Sequence, residues 1–186
     1  EIGSGLVGSE MCIRDRKNID RLKSKLEIFD EILSERRMHY TVYLFGAGLG
    51  IYHLHEDYRM SSDLDYMSQD EIDDEDLKMM LETLEISDMG GIMLVPELAD
   101  IEIVDRVEYQ YLTVLIPSIE NFALSKLFSS RPKDYNDLEN YPILDMCDVE
   151  KLKEMLEEYL PYFVFADNPN YNFNYLDDLL NKRGLA

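Results

Sequence analysis

The sequence predicts an α+β fold: a small mixed β-sheet flanked by helices, with helices alone after it. Three observations carry this expectation. Helical and strand-like apolar patterns alternate as far as Pro117. The strand-like runs are β-branched or aromatic and stop at glycine or other turn residues. From Ser118 onward the patterns read as helix. At 186 residues and 46% hydrophobic composition, the chain suffices for one core and a small helical extension. No apolar run approaches membrane-spanning length, so no membrane partner is expected.

The elements follow in order. Residues 17–37 place Ile19, Leu22, Leu26, Phe29 and Leu33 at helical spacing, an amphipathic helix. "YTVYLFGAG", 40–48, is a buried strand that stops in glycine, and "LGIYHLHED", 49–57, is a short helix. "DLDYM", 63–67, is a second strand. "DDEDLKMMLETLEI", 73–86, opens with acids, as a helix N-terminus prefers. "GIMLVPE" and "DIEIVDRV" are strand-like, with a break near Pro96, and "YLTVLIP", 111–117, is another strand. Ser118 caps the apolar helix "IENFALSKLFSS". Further helices are expected over 131–146, 148–163 and 173–182.

Residues 1–16 are set apart. "LVGSEMCIRDR", 6–16, has no apolar period and back-translates in one frame to a transposase-type sequencing adapter, so residues 1–16 are expected to be a read-assembly artefact outside the fold. The expected division is then 17–145 for the main domain and 146–186 for a helical extension packed on it. Cys147 is left as a lone cysteine, which makes neither a disulfide framework nor a metal cluster and suits a cytoplasmic protein. The formal net charge of −21 becomes −20 once Glu1, Glu10, Asp15, Arg14 and Arg16 are removed. That charge argues against nonspecific binding of nucleic acid but not against a local docking patch, and the basic residues gather at 14–37 and 126–133.

The chemistry concentrates in "YRMSSDLDYM", 58–67. Residues two apart on a strand share a face, so Asp63 and Asp65 project together. Paired carboxylates repel unless a cation bridges them, and magnesium favours oxygen ligands completed by water and phosphates. A third acid is available on a strand expected to be a neighbour, Glu102 or, just beyond, Asp105. Three such carboxylates suit one or two metals and in-line phosphoryl displacement. Upstream, "FGAGLG" closes a strand and opens a helix. Gly46 and Gly48 permit close backbone approach, and the helix N-terminus offers N–H groups to a phosphate. Two other motifs have plainer readings. His53 and His55 lie two apart on an expected helix and do not share a face. The acidic run at 68–77 lacks the glycine and closing glutamate of a calcium loop.

"LFGAGLGIYHLHEDYRMSSDLDYM" resembles the signature of the DNA polymerase beta-like nucleotidyltransferase superfamily, a glycine turn before Asp-x-Asp with a third acid on a later strand. Its form, aromatic-Arg-x-Ser-x-Asp-x-Asp, is similar to the AbiEii-type and minimal nucleotidyltransferases of prokaryotic toxin–antitoxin and defence loci. "VLIPSIENFALSKLFSSRPKDYNDL", 114–138, resembles their downstream block. The resemblance implies a nucleotidyltransferase-like fold and transfer of a nucleoside monophosphate from a triphosphate, with ATP the expected donor, to a hydroxyl on a protein or tRNA by two-metal catalysis. Asp63, Asp65 and Glu102 would hold Mg2+ and act catalytically. Gly46, Ala47, Gly48 and Ser62 would hold the phosphates. Lys126, Arg131 and Lys133 would face the triphosphate, with Asp134 and Asp137 organising that basic segment. Ala47 departs from the usual Gly or Ser. The acidic charge disfavours tRNA and favours a protein acceptor. The alternative is a non-catalytic, antitoxin-like module that binds a cognate partner.

Overall fold

The computed structural model describes residues 7–89 and 96–185, with side chains from Lys17 onward. The expected α+β class holds: a five-stranded mixed sheet is accompanied by helices. The chain divides into two compact units, one running up to Asp88 and including Asp105–Ile116, the other Met89–Val104 and Pro117–Ala186. The chain leaves the first unit after the third strand and re-enters it within the fourth.

In the first unit, α1 (Val7–Arg36) leads to β1 (Tyr40–Phe45), α2 (Gly46–Leu54), β2 (Leu64–Met67), α3 (Glu75–Thr83) and β3 (Ile86–Asp88); β4 (Ile103–Glu108) and β5 (Leu112–Pro117) form a later hairpin. The strand order is β3-β2-β1-β5-β4. β1 runs antiparallel to β2, pairing Phe45 with Asp65, and parallel to β5, pairing Val42 with Val114. Because side chains alternate across a strand, Tyr40, Val42, Leu44, Leu64, Tyr66, Leu112 and Val114 share the buried face. Phe29 of α1 is fully buried there, its ring 5.3 Å from Tyr66 and 6.4 Å from Tyr40. Each such side chain contributes roughly 1.5–3 kcal/mol on burial. The opposite face carries Thr41, Tyr43, Asp65, Thr113 and Leu115, all half-buried. Asp30 fastens α1 to the hairpin: its carboxylate accepts from the Tyr111 and Leu112 amides at 2.6 and 2.8 Å.

Several elements differ from expectation. The helix expected over 73–86 stops at Thr83; Glu85 takes a φ of 57° and turns the chain so that buried Ile86 starts β3. Asp63 precedes β2 rather than lying within it, and Glu102 precedes β4. The helix expected over 131–146 is two, broken at Tyr141–Pro142, where proline has no N–H to donate. The strand expected at "GIMLVPE" falls largely outside the described residues.

The second unit is mainly helical: α4 (Ile119–Leu127), α5 (Pro132–Asn140), α6 (Ile143–Met146), α7 (Val149–Tyr159) and α8 (Leu176–Arg183). Ser118 caps α4 by accepting from the Asn121 amide, as expected, and Asp148 caps α7. Phe122, Leu124, Leu152 and Leu180 are essentially inaccessible. Gly184, at φ 70°, ends α8 in the left-handed conformation.

Candidate active site

Strand β1 delivers its last residue, Phe45, to the start of α2, and Gly46 opens that helix at a φ of 56°. The antiparallel partner β2 places Asp65 directly opposite Phe45. The consequence is a close approach: a Cβ on Gly46 would lie 1.9 Å from Asp65 Oδ2, 2.8 Å from its Cγ and 2.9 Å from its Cβ. Glycine is thus required twice, by the left-handed backbone and by the Asp65 carboxylate. Asp63, two residues earlier and exposed, is held locally. Its carboxylate accepts from the Ser62 hydroxyl at 3.1 Å, and its amide donates to Ser61 Oγ at 3.4 Å. Helix α2 has no side-chain N-cap and no acid in its first turn. Its first amides therefore have no intrahelical partner. Gly46 is half-exposed, but Ala47 and Gly48 are buried. Gly48 packs against Leu44, Leu22 and Leu64. Its lack of a side chain serves core packing.

Of the two candidates for the third acid, Glu102 immediately precedes β4 and Asp105 lies within it. In the sheet two strands, β1 and β5, stand between β2 and β4, so β4 does not pair with the Asp-x-Asp strand. Glu102 is half-exposed and accepts from Lys151 Nζ. That hydrogen bond holds its carboxyl below the usual range, and the same contact raises the Lys151 ammonium. Lys151 also lies 3.6 Å from Glu120. Asp105, the other candidate, accepts from the Tyr52 hydroxyl on α2 and from the Arg106 amide. Those bonds lower its pKa, while burial and the neighbouring carboxylate push Tyr52 up to about 12. Both acids are thus engaged with other groups.

The basic segment of the second unit is built around Lys126. Lys126 is 4% exposed, and its ammonium donates to Asp134 at 3.1 Å and Asp137 at 2.6 Å, both buried. Asp134 further accepts from Ser129 Oγ and Arg131 Nε, each at 2.6 Å. Burial alone would raise the Asp134 pKa; the Lys126 charge, with the Ser129 and Arg131 bonds, reverses this and lowers it. These bonds hold the Lys126 ammonium inside the second unit. Arg131 and Lys133 remain exposed. The pattern Lys126, Asp134, Asp137 is therefore a buried ion-pair cluster linking α4 to α5.

What the first unit brings together is Gly46 and Asp65 at the first turn of α2, with the exposed Asp63 two residues before Asp65 in the chain. Magnesium is commonly held by one or two carboxylates plus substrate phosphates, and these residues fit that donor set. Among the described residues no group of three or more His, Cys, Asp or Glu is arranged to hold a metal ion. Sequence reasoning missed the contact between Gly46 and Asp65, which depends on strand register, and missed Ser87, which β3 sets opposite Asp65. Among the described residues no helix is long and apolar enough to cross a membrane.

No curated protein and no solved structure matches the chain significantly. A family model described as "Nucleotidyltransferase of unknown function (DUF6036)" matches residues 20–178. The match spans both the glycine turn with Asp63 and Asp65 and the Lys126–Asp137 cluster, and the chain belongs to this nucleotidyltransferase family.

Proposed function

We propose that the protein transfers a nucleoside monophosphate from a nucleoside triphosphate, with ATP the expected donor, to a hydroxyl on a protein or RNA acceptor. The observation that carries this is the Asp65 carboxylate seated against Gly46 at the uncapped start of α2. Asp65 and Asp63 would hold Mg2+, which would offset the charge of the triphosphate and polarise its α-phosphoryl oxygen. The first amides of α2 would bind phosphate oxygens, aided by Ser62. The acceptor oxygen then forms a bond to the α-phosphorus, the bond from that phosphorus to the bridging oxygen breaks, and pyrophosphate leaves with the electron pair. The hydroxyl proton passes to a carboxylate or to water. A role in a prokaryotic toxin–antitoxin or defence locus, and in the cytoplasm, belongs to the same proposal.

The test is transfer of label from an α-phosphate-labelled triphosphate in a cell extract of the source organism, wild type against Asp65→Asn. Label on protein or RNA that requires Mg2+ and Asp65 supports the proposal. No transfer by folded wild type, or equal transfer by both proteins, overturns it. A second reading has its own observation: the engagement of Glu102 by Lys151. It favours a non-catalytic module that binds a cognate toxin or antitoxin protein, and such a module would bind its partner equally well with Asp65→Asn.

A further inference from the structure

The first unit contains a cavity of about 570 Å³ that shares Ser62 and Asp63 with the proposed donor site and extends from them along α1. It lies between α1, α2 and the 61–64 segment, and Asp63 stands at its edge. Its volume falls in the range of small-molecule sites, roughly 300–1,000 Å³. Its floor is apolar, formed in part by Leu22, Ile51 and Leu64. Its wall is cationic. Lys17, Arg21 and Lys25 stand four residues apart on α1 and therefore share one helix face.

This is a local exception in a chain of net charge −21. Lys25 is occupied, donating to the Leu84 and Glu85 carbonyls at 2.6 and 3.2 Å. Among the described residues, Arg21 donates to the weak acceptor Met60 Sδ, at 2.6 Å. Among the described residues, neither Lys17 nor Arg21 has a carboxylate within ion-pair distance. Asp20 is the opposing charge on the same helix, and Ser61 and Ser62 add hydroxyls. An apolar floor, two uncommitted cations and an adjacent carboxylate match a molecule with a flat body, a phosphate and a hydroxyl.

Resting on the function proposed above, we infer that this cavity is the acceptor side of the site and binds a nucleoside monophosphate unit. The phosphate lies on Lys17 and Arg21, the base lies on the apolar floor, and a ribose hydroxyl is directed toward Asp63. The hydroxyl oxygen bonds to the α-phosphorus of the donor triphosphate, its proton goes to Asp63 or water, and pyrophosphate leaves. The unit is a free mononucleotide or the end of a strand.

The test is calorimetry on the full chain without magnesium. The probes are the four nucleoside 5′-monophosphates, the matching nucleosides and 5′-phosphorylated dinucleotides. At least one monophosphate is expected to bind the wild type. Lys17→Ala/Arg21→Ala and removal of the phosphate should each weaken binding about tenfold or more, as expected for lost charge-assisted bonds. Arg21→Lys should retain most of the affinity, which separates loss of charge from loss of fold. Absence of monophosphate binding, or binding unchanged in the double variant, overturns the inference. Asp65→Ala should lose magnesium-dependent triphosphate binding and keep the monophosphate, while the α1 variant does the reverse, so the two proposals fail separately. Tighter binding of a dinucleotide assigns the unit to a strand end, and equal binding assigns it to a free nucleotide.

Discussion

Gly46→Ala attacks the contact on which the site depends. Two costs follow from the geometry. An alanine at φ 56° adopts a left-handed conformation, which costs roughly 1–2 kcal/mol. Its Cβ would also fall 1.9 Å from Asp65 Oδ2 and within 3 Å of two further Asp65 atoms, so the whole side chain must move. Overpacking of this kind costs roughly 1–3 kcal/mol. The expected loss is therefore about 2–5 kcal/mol, read by urea unfolding. Asp65→Ala in the Gly46→Ala background removes the Oδ2 and Cγ contacts but not the backbone strain. The double-mutant cycle should show a favourable coupling of roughly 1–2 kcal/mol. Magnesium-dependent triphosphate binding should be lost in all three variants. A Gly46→Ala protein as stable as wild type, or strictly additive effects, would refute the reasoning.

Other expectations follow from the second unit. Lys126→Met removes the buried cation that Asp134 and Asp137 share, while Arg131 stays on Asp134, and urea unfolding should show a loss of about 3–5 kcal/mol. Because the folded-state pKa of Asp134 is depressed, its contribution is present above the ordinary aspartate pKa and lost as pH falls through the lower folded value. The urea midpoint should accordingly fall below about pH 4, and Asp134→Asn should flatten that part of the profile. Glu102 and Lys151 are both substantially exposed, so removing their pairing by Glu102→Gln should change stability by no more than about 1 kcal/mol. If Glu102 takes part in transfer, Glu102→Gln should abolish label transfer without changing triphosphate affinity more than about threefold.

Much of the site was legible because its signals are local. Gly46 and the Asp63–Asp65 spacing are read from a few adjacent residues, and Ser118 announces the start of α4. What the sequence left hidden depends on tertiary pairing. Asp65 meets Gly46 only through the β1–β2 register. Lys126 reads as a free cation on a helix until α5 folds back and brings Asp134 and Asp137 to it. β3 has three residues and follows a helical pattern without glycine or proline, so its start at Ile86 is marked only by the conformation of Glu85. Glu102 has the alternation of a strand residue, but the strand order decides what stands beside it. The cationic wall of α1 was visible as basic residues at 14–37; that it faces a cavity beside Asp63 was not.

The most direct test of the account is calorimetry of magnesium-dependent triphosphate binding to the full chain, wild type against Asp63→Ala/Asp65→Ala, with each of the four triphosphates. The account predicts binding that requires both magnesium and the aspartates, with the variant retaining its fold because removing clustered acids relieves repulsion. A well-folded wild type that binds no triphosphate, or a variant that binds as tightly as wild type, would contradict it.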